Sequence, residues 1–461
     1  MSDVLINDLD KIEGFKMLNT ESLRSNKEFR IDLSTDSRTL KSGQTYLAIR
    51  GEQFDGHDFI EQVFLKGAQL AIVDSEFIKK NMYSYPLVVV PDTIKALQKM
   101  AAGHRDKFKI PIIGLTGSNG KTTTKEMIAH VLGSRFNVHK TNGNLNNHIG
   151  CPLTVLGIKT GHEAAVIEMG TNHPGEIDVL ADIVRPDHSL ITNIGEAHIE
   201  FFGSKKAIFK EKKSVFDSTK PGGKIYINLD DPFLSGYQHD NCVSITYSMK
   251  VKADIMGRLN DITPMGFPVF TVNDKTKVRL QTAGIHNALN ALSAFALAMQ
   301  FGMTENEIKD ALESFISYDK RLQISDYNGI MIINDAYNSN PDSVAAVLDS
   351  VRKIKIPGRK IIALGDMFEL GKFSAEAHIR VVKMAVAGDA DELILLGNMM
   401  TDAGRSVNHP KIKCFEDHAV AADYLNASLE KGDLLLLKGS RGMAMEKILD
   451  IMGISQKQDI H

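Results

Sequence analysis

The stretch from Ile110 to Met127, "IPIIGLTGSNGKTTTKEM", constrains this chain more than any other. A short apolar run reads as a buried strand. A glycine-bounded loop follows, then a helix from about Thr122 to Ser134 whose apolar stripe is Met127, Ile128, Val131 and Leu132. A strand feeding a helix through a tight turn is the repeating unit of a parallel α/β sheet. The backbone N–H groups of such a turn converge at a helix N-terminus and cradle an anion. The common phosphate loop has its first glycine separated by four residues from Gly-Lys-Ser/Thr, at position 115, which is Leu115 here. This chain offers the tighter Gly117-Ser118-Asn119-Gly120-Lys121-Thr122 instead. Gly117, Ser118, Asn119, Gly120 and Thr123 are then expected around the phosphates, with Lys121 neutralising β/γ charge and Thr122 offering a hydroxyl to Mg²⁺. The alternative is a glycine-rich turn ahead of a capped helix, with no nucleotide.

The same alternation runs the length of the chain. "TYLAIRG", "AQLAIVD" and "PLVVVPD" read as strands, and "TIKALQKMAAGHRDKF" as a helix running into a charged link. After the loop come the strands "AAVIEMG", "HSLITNIG" and "GGKIYINLD". The helix "TENEIKDALESFI" and the polar link "SYDKRLQ" precede four more strands: "GIMIINDAY", "RKIIALGDM", "DELILLGN" and "DLLLLKGS". At 461 residues, about three domains are expected. The links divide an α/β chain at 1–108, 109–317 and 318–461. The last unit is a second doubly wound domain, and a dehydrogenase reading of it fails because no Gly-x-Gly-x-x-Gly follows any of its strands.

With 54 basic against 57 acidic residues the chain has no generalised nucleic-acid footprint. Three distant cysteines, Cys151, Cys242 and Cys414, point to a reducing compartment. No apolar run reaches a membrane span's length of roughly 20 residues. A cytoplasmic monomer without membrane insertion is the expectation.

Two polar residues stand where strands end. Glu168 closes "AAVIEMG", and His198 lies just beyond the next strand in "NIGEAHIE". Alone, Glu168 could cap a turn and His198 could be a surface loop residue. Set beside a Lys-Thr phosphate loop on one sheet edge, they suggest a Mg²⁺ site, although histidine is an unusual ligand for that hard cation.

At this point the match becomes specific. "TGSNGKTTTKEM", "TNGNLNNHIGCPLT", "EMGTNHPGEI", "TNIGEAHIEFFGS", "GIHNALNALSA" and "DAYNSNPDSV" resemble the Mur ligase family, in that family's order and over essentially the whole chain. The resemblance implies a small N-terminal α/β domain for a UDP-sugar substrate, a central P-loop-type parallel-sheet ATPase domain and a C-terminal Rossmann-like domain. It implies an ATP-dependent ligase that joins an amine to a peptide carboxylate through an acyl phosphate. "EMG", "GNLNNHIGCPLT", "DAYNSNPDS" and "LGDMFELG" are similar to the branch that adds D-Ala-D-Ala to UDP-N-acetylmuramoyl-tripeptide in peptidoglycan synthesis. A diamine-adding relative would show a serine pair after the glutamate, where Met169-Gly170 stand, and a "DNPR" string, which is absent. A folate-type amide ligase would lack the first domain, and a P-loop switch would hydrolyse ATP with no amine.

Carried over residue by residue, the resemblance gives Lys121 to the transferring phosphate, Thr122 and Glu168 to a first Mg²⁺, and His198 to a second metal. A carbamylated lysine fourteen residues beyond the histidine falls on Lys212, in "IFKEKKSVF". The family often has a glutamate two residues later, where this chain has Ser214. Lys210 and Lys213 flank the site, so a solvated basic face is the alternative. His286, Asn287 and Asn290 open a helix, and Asn287 resembles the adenine-contacting asparagine. Arg321 resembles the arginine that reaches the γ-phosphate on closure about the link 317–321. Asp335 is placed at the ribose hydroxyls unless it only caps the next helix. Tyr337, Asn338, Asn142, Asn144, Asn146 and Asn147 are assigned to substrate. So are Ser37 and Arg38, with Gly51, Asp55 and His57 nearby, although Arg38 could simply pair with an acid. Lys438, Ser440 and Arg441 are assigned to the D-Ala-D-Ala carboxylate.

Overall fold

The computed structural model describes residues 14–24, 29–51, 54–79, 83–316 and 321–454. Three sheets follow one another along the chain. The first runs Lys16–Leu18, Leu87–Val90, Leu70–Asp74, Thr45–Leu47, Leu33–Ser34, parallel except for its first edge strand. The third runs Gln323–Tyr327, Ile330–Asp335, Leu434–Lys438, Lys360–Gly365, Glu392–Leu396, Ile412–Phe415, again parallel except for its first strand.

The second sheet carries the phosphate loop. Its order is Thr276–Arg279, Pro268–Val272, Ile255–Ile262, Val243–Ser248, Lys224–Asn228, His188–Ile191, Ile112–Thr116, Ala164–Glu168, Val138–Lys140. Every residue of Ile112–Thr116 and Ala164–Glu168 is buried. Strands covered on both faces read as unbroken apolar runs, which is why they were visible in the sequence. The antiparallel extension Ile255–Arg279 was not anticipated. Thr276–Arg279 alternates buried and exposed residues, so it presents no apolar run to detect.

Ile112–Thr116 lies between Ala164–Glu168 and His188–Ile191, so the chain leaves it toward both sides of the sheet. Such a switch point opens a crevice at the carboxyl ends of the strands. The helix Lys121–Gly133 starts there and packs against His286–Met299, which is buried along nearly its whole length. Thr93–Arg105 lies against Gly150–Leu156 and Glu176–Val184 and joins the first sheet to the second. Its buried Arg105 donates to Val184 O at 2.9 Å and to Asp187 Oδ2 at 2.9 Å. Of the link 317–321 expected to act as a hinge, residues 317–320 lie outside the described residues. Among the described residues no helix is long and apolar enough to cross a membrane.

Candidate active site

The tight loop turns on backbone that side chains reject. Gly117 has φ +152°, and a Cβ there would lie 1.9 Å from Thr192 Oγ1. Gly120, at φ +79°, is the N-cap of the helix Lys121–Gly133 and packs against Asn290. The next strand's loop braces this turn. Ser118 N donates to Asn193 O at 3.0 Å, Asn119 N to Asn193 Oδ1 at 2.9 Å, and Thr192 Oγ1 to Asn119 O at 2.6 Å. Ser118 Oγ accepts from Gly195 N at 2.8 Å. Lys121 folds back and donates to Gly117 O at 2.8 Å, so its ammonium already sits over the loop. Burial pushes its pKa below the ordinary lysine value. Thr123 is buried in the first turn of the helix.

On the neighbouring strand, opposite Leu115, Glu168 is 1% exposed at the strand's end. Its Oε1 accepts from Thr122 Oγ1 at 3.2 Å and from Asn146 Nδ2 at 2.7 Å. Its Oε2 is buried with no hydrogen-bond partner. A buried carboxylate oxygen without a donor is costly, and a hard cation held by carboxylate and hydroxyl oxygens would satisfy it. The donor set therefore fits Mg²⁺. Among the described residues no group of three or more His, Cys, Asp or Glu side chains gathers to hold a metal. A cation here would need oxygens from another source.

His198 adopts a left-handed conformation, φ 61°, ψ 23°, at the head of Ile199–Phe202. A non-glycine residue in that region is uncommon and marks a site held by its surroundings. Its Nδ1 lies 2.6 Å from Glu369 Oε2 of the third sheet's loops. This contact holds the Glu369 carboxyl below its usual range. Lys212 ends the helix Lys205–Lys212 and is 1% exposed, not a solvated basic face. Burial, then the charge of Lys121, drives its pKa well below the lysine value. The adjacent Glu211 is committed elsewhere: it accepts from Gly175 N at 2.7 Å and Ile177 N at 2.8 Å. A buried, readily neutral amine is the form that carbamate chemistry needs.

The third sheet closes over this edge. Asn340 Nδ2 donates to Asn119 Oδ1 at 2.8 Å, and Asp342 Oδ2 accepts from Glu196 N at 2.7 Å. Arg380 pairs with Glu196. Arg321 lies with its guanidinium 3.9 Å from the centre of the Tyr337 ring, and its charge, with that of Glu369, is felt at Lys121. Asp335 and Lys438 are register partners on neighbouring strands, with Lys438 Nζ 2.7 Å from Asp335 Oδ2 and 2.9 Å from Asn338 O.

Three family profiles cover the chain in order: "Mur ligase family, catalytic domain" over residues 32–105, "Mur ligase middle domain" over 115–298, and "Mur ligase, glutamate ligase domain" over 320–441. The UDP-N-acetylmuramoyl-tripeptide–D-alanyl-D-alanine ligase of Bacillus subtilis is 35% identical over 428 residues, 90% of this chain and 92% of that protein. The chain belongs to the Mur ligase family. A crystal structure of MurF from Acinetobacter baumannii is 30% identical, with TM-score 0.84 over 91% of this chain and 93% of that one. The MurF ligase of Thermotoga maritima, crystallised in complex with ADP, is 27% identical with TM-score 0.83, over 92% and 97% of the two chains.

Other residues expected at this Mur ligase's site stand less directly. Asn142 and Asn144 are exposed in their loop, whereas Asn147 Oδ1 accepts from Gly150 N at 2.8 Å and starts a helix. Asn287 donates to Ala283 O at 2.6 Å and accepts from Asn290 at 2.9 Å. His286, beside Asp335 and Lys438, is lowered in pKa by burial. Arg38 is 86% exposed and paired with Asp36 at 2.7 Å, the alternative recognised from the sequence. Ser37 is buried and accepts Lys66 Nζ at its carbonyl, 2.7 Å. His57 is spent inside its domain: Nδ1 meets Asp55 Oδ1 at 2.6 Å and Nε2 accepts from Asp74 N at 3.0 Å. Gly51 N bonds Phe54 O at 2.9 Å in the same loop. Ser440 Oγ accepts Phe368 N at 2.8 Å, and Arg441 pairs with Glu446 at 3.1 Å.

Sequence reasoning passed over Lys125, Thr192, Asn193 and Glu369. Lys125 was within reach, because it follows Thr122 by three residues on one helix face. Glu369 was not, because only tertiary packing brings it to His198.

Proposed function

We propose that this chain is the ATP-dependent ligase that adds D-Ala-D-Ala to UDP-N-acetylmuramoyl-tripeptide, a peptide-bond-forming step in peptidoglycan precursor synthesis. The observation that carries the reading is the single sheet edge where the phosphate loop lies against Glu168, and where that loop and His198 meet Asn340 and Glu369 from the third sheet's loops. A site assembled from two doubly wound units suits the joining of two substrates over a nucleotide.

In this reading residues 1–108 hold the UDP-sugar, 109–317 the ATP, and 318–461 the incoming dipeptide. The loop N–H groups and Lys121 grip the β/γ-phosphates. The substrate carboxylate attacks the γ-phosphorus, ADP leaves, and an acyl phosphate forms. The dipeptide amine then attacks the acyl carbon, phosphate leaves, and the amine's proton is released. Lys121 and Arg321 offset the charge that grows on the transferring phosphoryl oxygens. Thr122 and Glu168 would hold a first Mg²⁺ and His198 would help hold a second metal, with Lys212 as a carbamate; these would supply oxygen ligands and charge neutralisation beside the phosphates. Asp335 and Asn287 are proposed at ribose and adenine; Tyr337, Asn338, Lys438, Ser37, Arg38 and the asparagine loop are proposed at the other substrates. A cytoplasmic site of action and a monomeric state belong to the same proposal.

The test is phosphate release from ATP with UDP-N-acetylmuramoyl-tripeptide, comparing D-Ala-D-Ala, lysine, diaminopimelate and no amine. Release that requires D-Ala-D-Ala, with a pentapeptide product by mass, is expected. Release with lysine or diaminopimelate alone, or without any amine, refutes the assignment.

A further inference from the structure

Lys125 is among the largest fully buried side chains of the protein, 0% exposed. It lies one turn beyond Lys121 on the helix that the phosphate loop starts. Its Nζ is 3.0 Å from Glu126 Oε1 and 3.8 Å from Glu168 Oε2, and it donates to Gly143 O at 3.3 Å. Lys140 takes the other oxygen of Glu126. Lys125 and Lys140 thus face Glu126 and Glu168, and Lys125 sets a positive charge against the Glu168 oxygen that accepts no hydrogen bond. Lysines are almost never fully buried unless paired; Glu126 supplies that pair, and Glu168 lies within reach of the same positive charge.

The effect of that charge follows from what the site lacks. Thr122 and Glu168 offer one hydroxyl and one carboxylate, and no third acidic or imidazole side chain completes a metal-binding cluster among the described residues. A free divalent cation would meet few ligands and an opposing ammonium close to its carboxylate. At such distances in a partly buried site, opposing charges are felt strongly. Phosphate oxygens would add both ligands and negative charge.

We infer that Lys125 is a charge-setting, positioning residue that makes cation binding at Thr122 and Glu168 conditional on nucleotide, so that the metal enters with the phosphates and not as a free ion. The inference rests on the proposed reading of Glu168 as a cation ligand and adds the device that restricts it.

The experiment measures Mn²⁺ binding to the full-length protein by calorimetry and by the loss of the free-ion electron paramagnetic resonance signal, with and without ADP. Wild type is expected to bind Mn²⁺ with ADP and at least ten-fold more weakly without it. Lys125→Gln keeps hydrogen-bonding capacity but removes the charge, and it is expected to bind nucleotide-free Mn²⁺ roughly a hundred-fold more tightly than wild type. Lys125→Arg keeps the charge and should behave as wild type. If Lys125→Gln does not fold, judged by thermal unfolding, Lys125→Gln/Glu126→Gln removes the buried pair together while still taking the Lys125 charge away from Glu168, and the same gain is expected. Nucleotide-free binding that is unchanged by removal of the Lys125 charge, or already as tight in wild type as with ADP, overturns the inference. Glu168→Gln separates the two levels. Unaltered Mn²⁺–ADP binding in that variant defeats the ligand reading itself; its loss, without any gain in the Lys125 variants, defeats only the role of Lys125.

Discussion

Replacing Gly117 by alanine tests the loop where it is most constrained. The added Cβ would lie 1.9 Å from Thr192 Oγ1 and 3.1 Å from Thr192 N, on backbone at φ +152°. Conformations of this kind cost a side-chain-bearing residue about 1–3 kcal/mol. Thr192 cannot yield freely, because its hydroxyl donates to Asn119 O at 2.6 Å, and losing that bond costs about 1 kcal/mol more. The loop is therefore expected to pay about 2–4 kcal/mol to keep its shape. That converts to roughly 30- to 1,000-fold weaker ADP binding. Isothermal titration with ADP reads the loss, and thermal unfolding shows whether the fold shares it. Gly117→Ala/Thr192→Ala separates the causes, since it removes the clashing hydroxyl and leaves the backbone strain. Partial recovery of affinity in the double variant is expected. Wild-type affinity in Gly117→Ala would refute both the cradle geometry and the role given to this turn.

Two further outcomes follow from buried charge. Burial lowers the pKa of His188 to about 4, so the unfolded chain takes up a proton that the native state refuses between about pH 6.5 and 4. Stability therefore falls as pH drops through that window, and His188→Gln should remove about 2 kcal/mol of the loss between pH 7 and 5, read by urea unfolding; an unchanged acid limb contradicts this. Lys438, 2% exposed and paired with Asp335, should cost about 3–5 kcal/mol when changed to Met, and Lys438→Met/Asp335→Asn should recover most of it in thermal unfolding. A wild-type melting temperature for Lys438→Met would mean that the lysine does not hold these two strands' ends together.

Much of the site was legible because its parts are local. Strand, glycine turn and helix around Lys121 are contiguous, and each residue's backbone need shows in its type. Glu168 and His198 could be placed on one edge because a parallel sheet sends every strand's carboxyl end the same way. The family resemblance singled out Lys212, fourteen residues beyond His198, but only packing shows that it is buried within reach of the charge of Lys121. That Arg38 pairs with Asp36 two residues away depends on side-chain geometry and could be named only as one option from the sequence. His57 and Asp55, named from the sequence beside the substrate candidates Ser37 and Arg38, tie a loop to the strand ending at Asp74, a contact that only packing reveals.

The sequence by itself determined the alternation of strands and helices and the position of the phosphate loop, because apolar runs and glycine turns act within a few residues of chain. Tertiary structure alone decided that Glu369 faces His198, that Asn340 meets Asn119, and that Lys125 opposes Glu168. These contacts join side chains whose types do not name their partners. They exist only once two sheets have packed and buried charges must find their counterparts or stay in water.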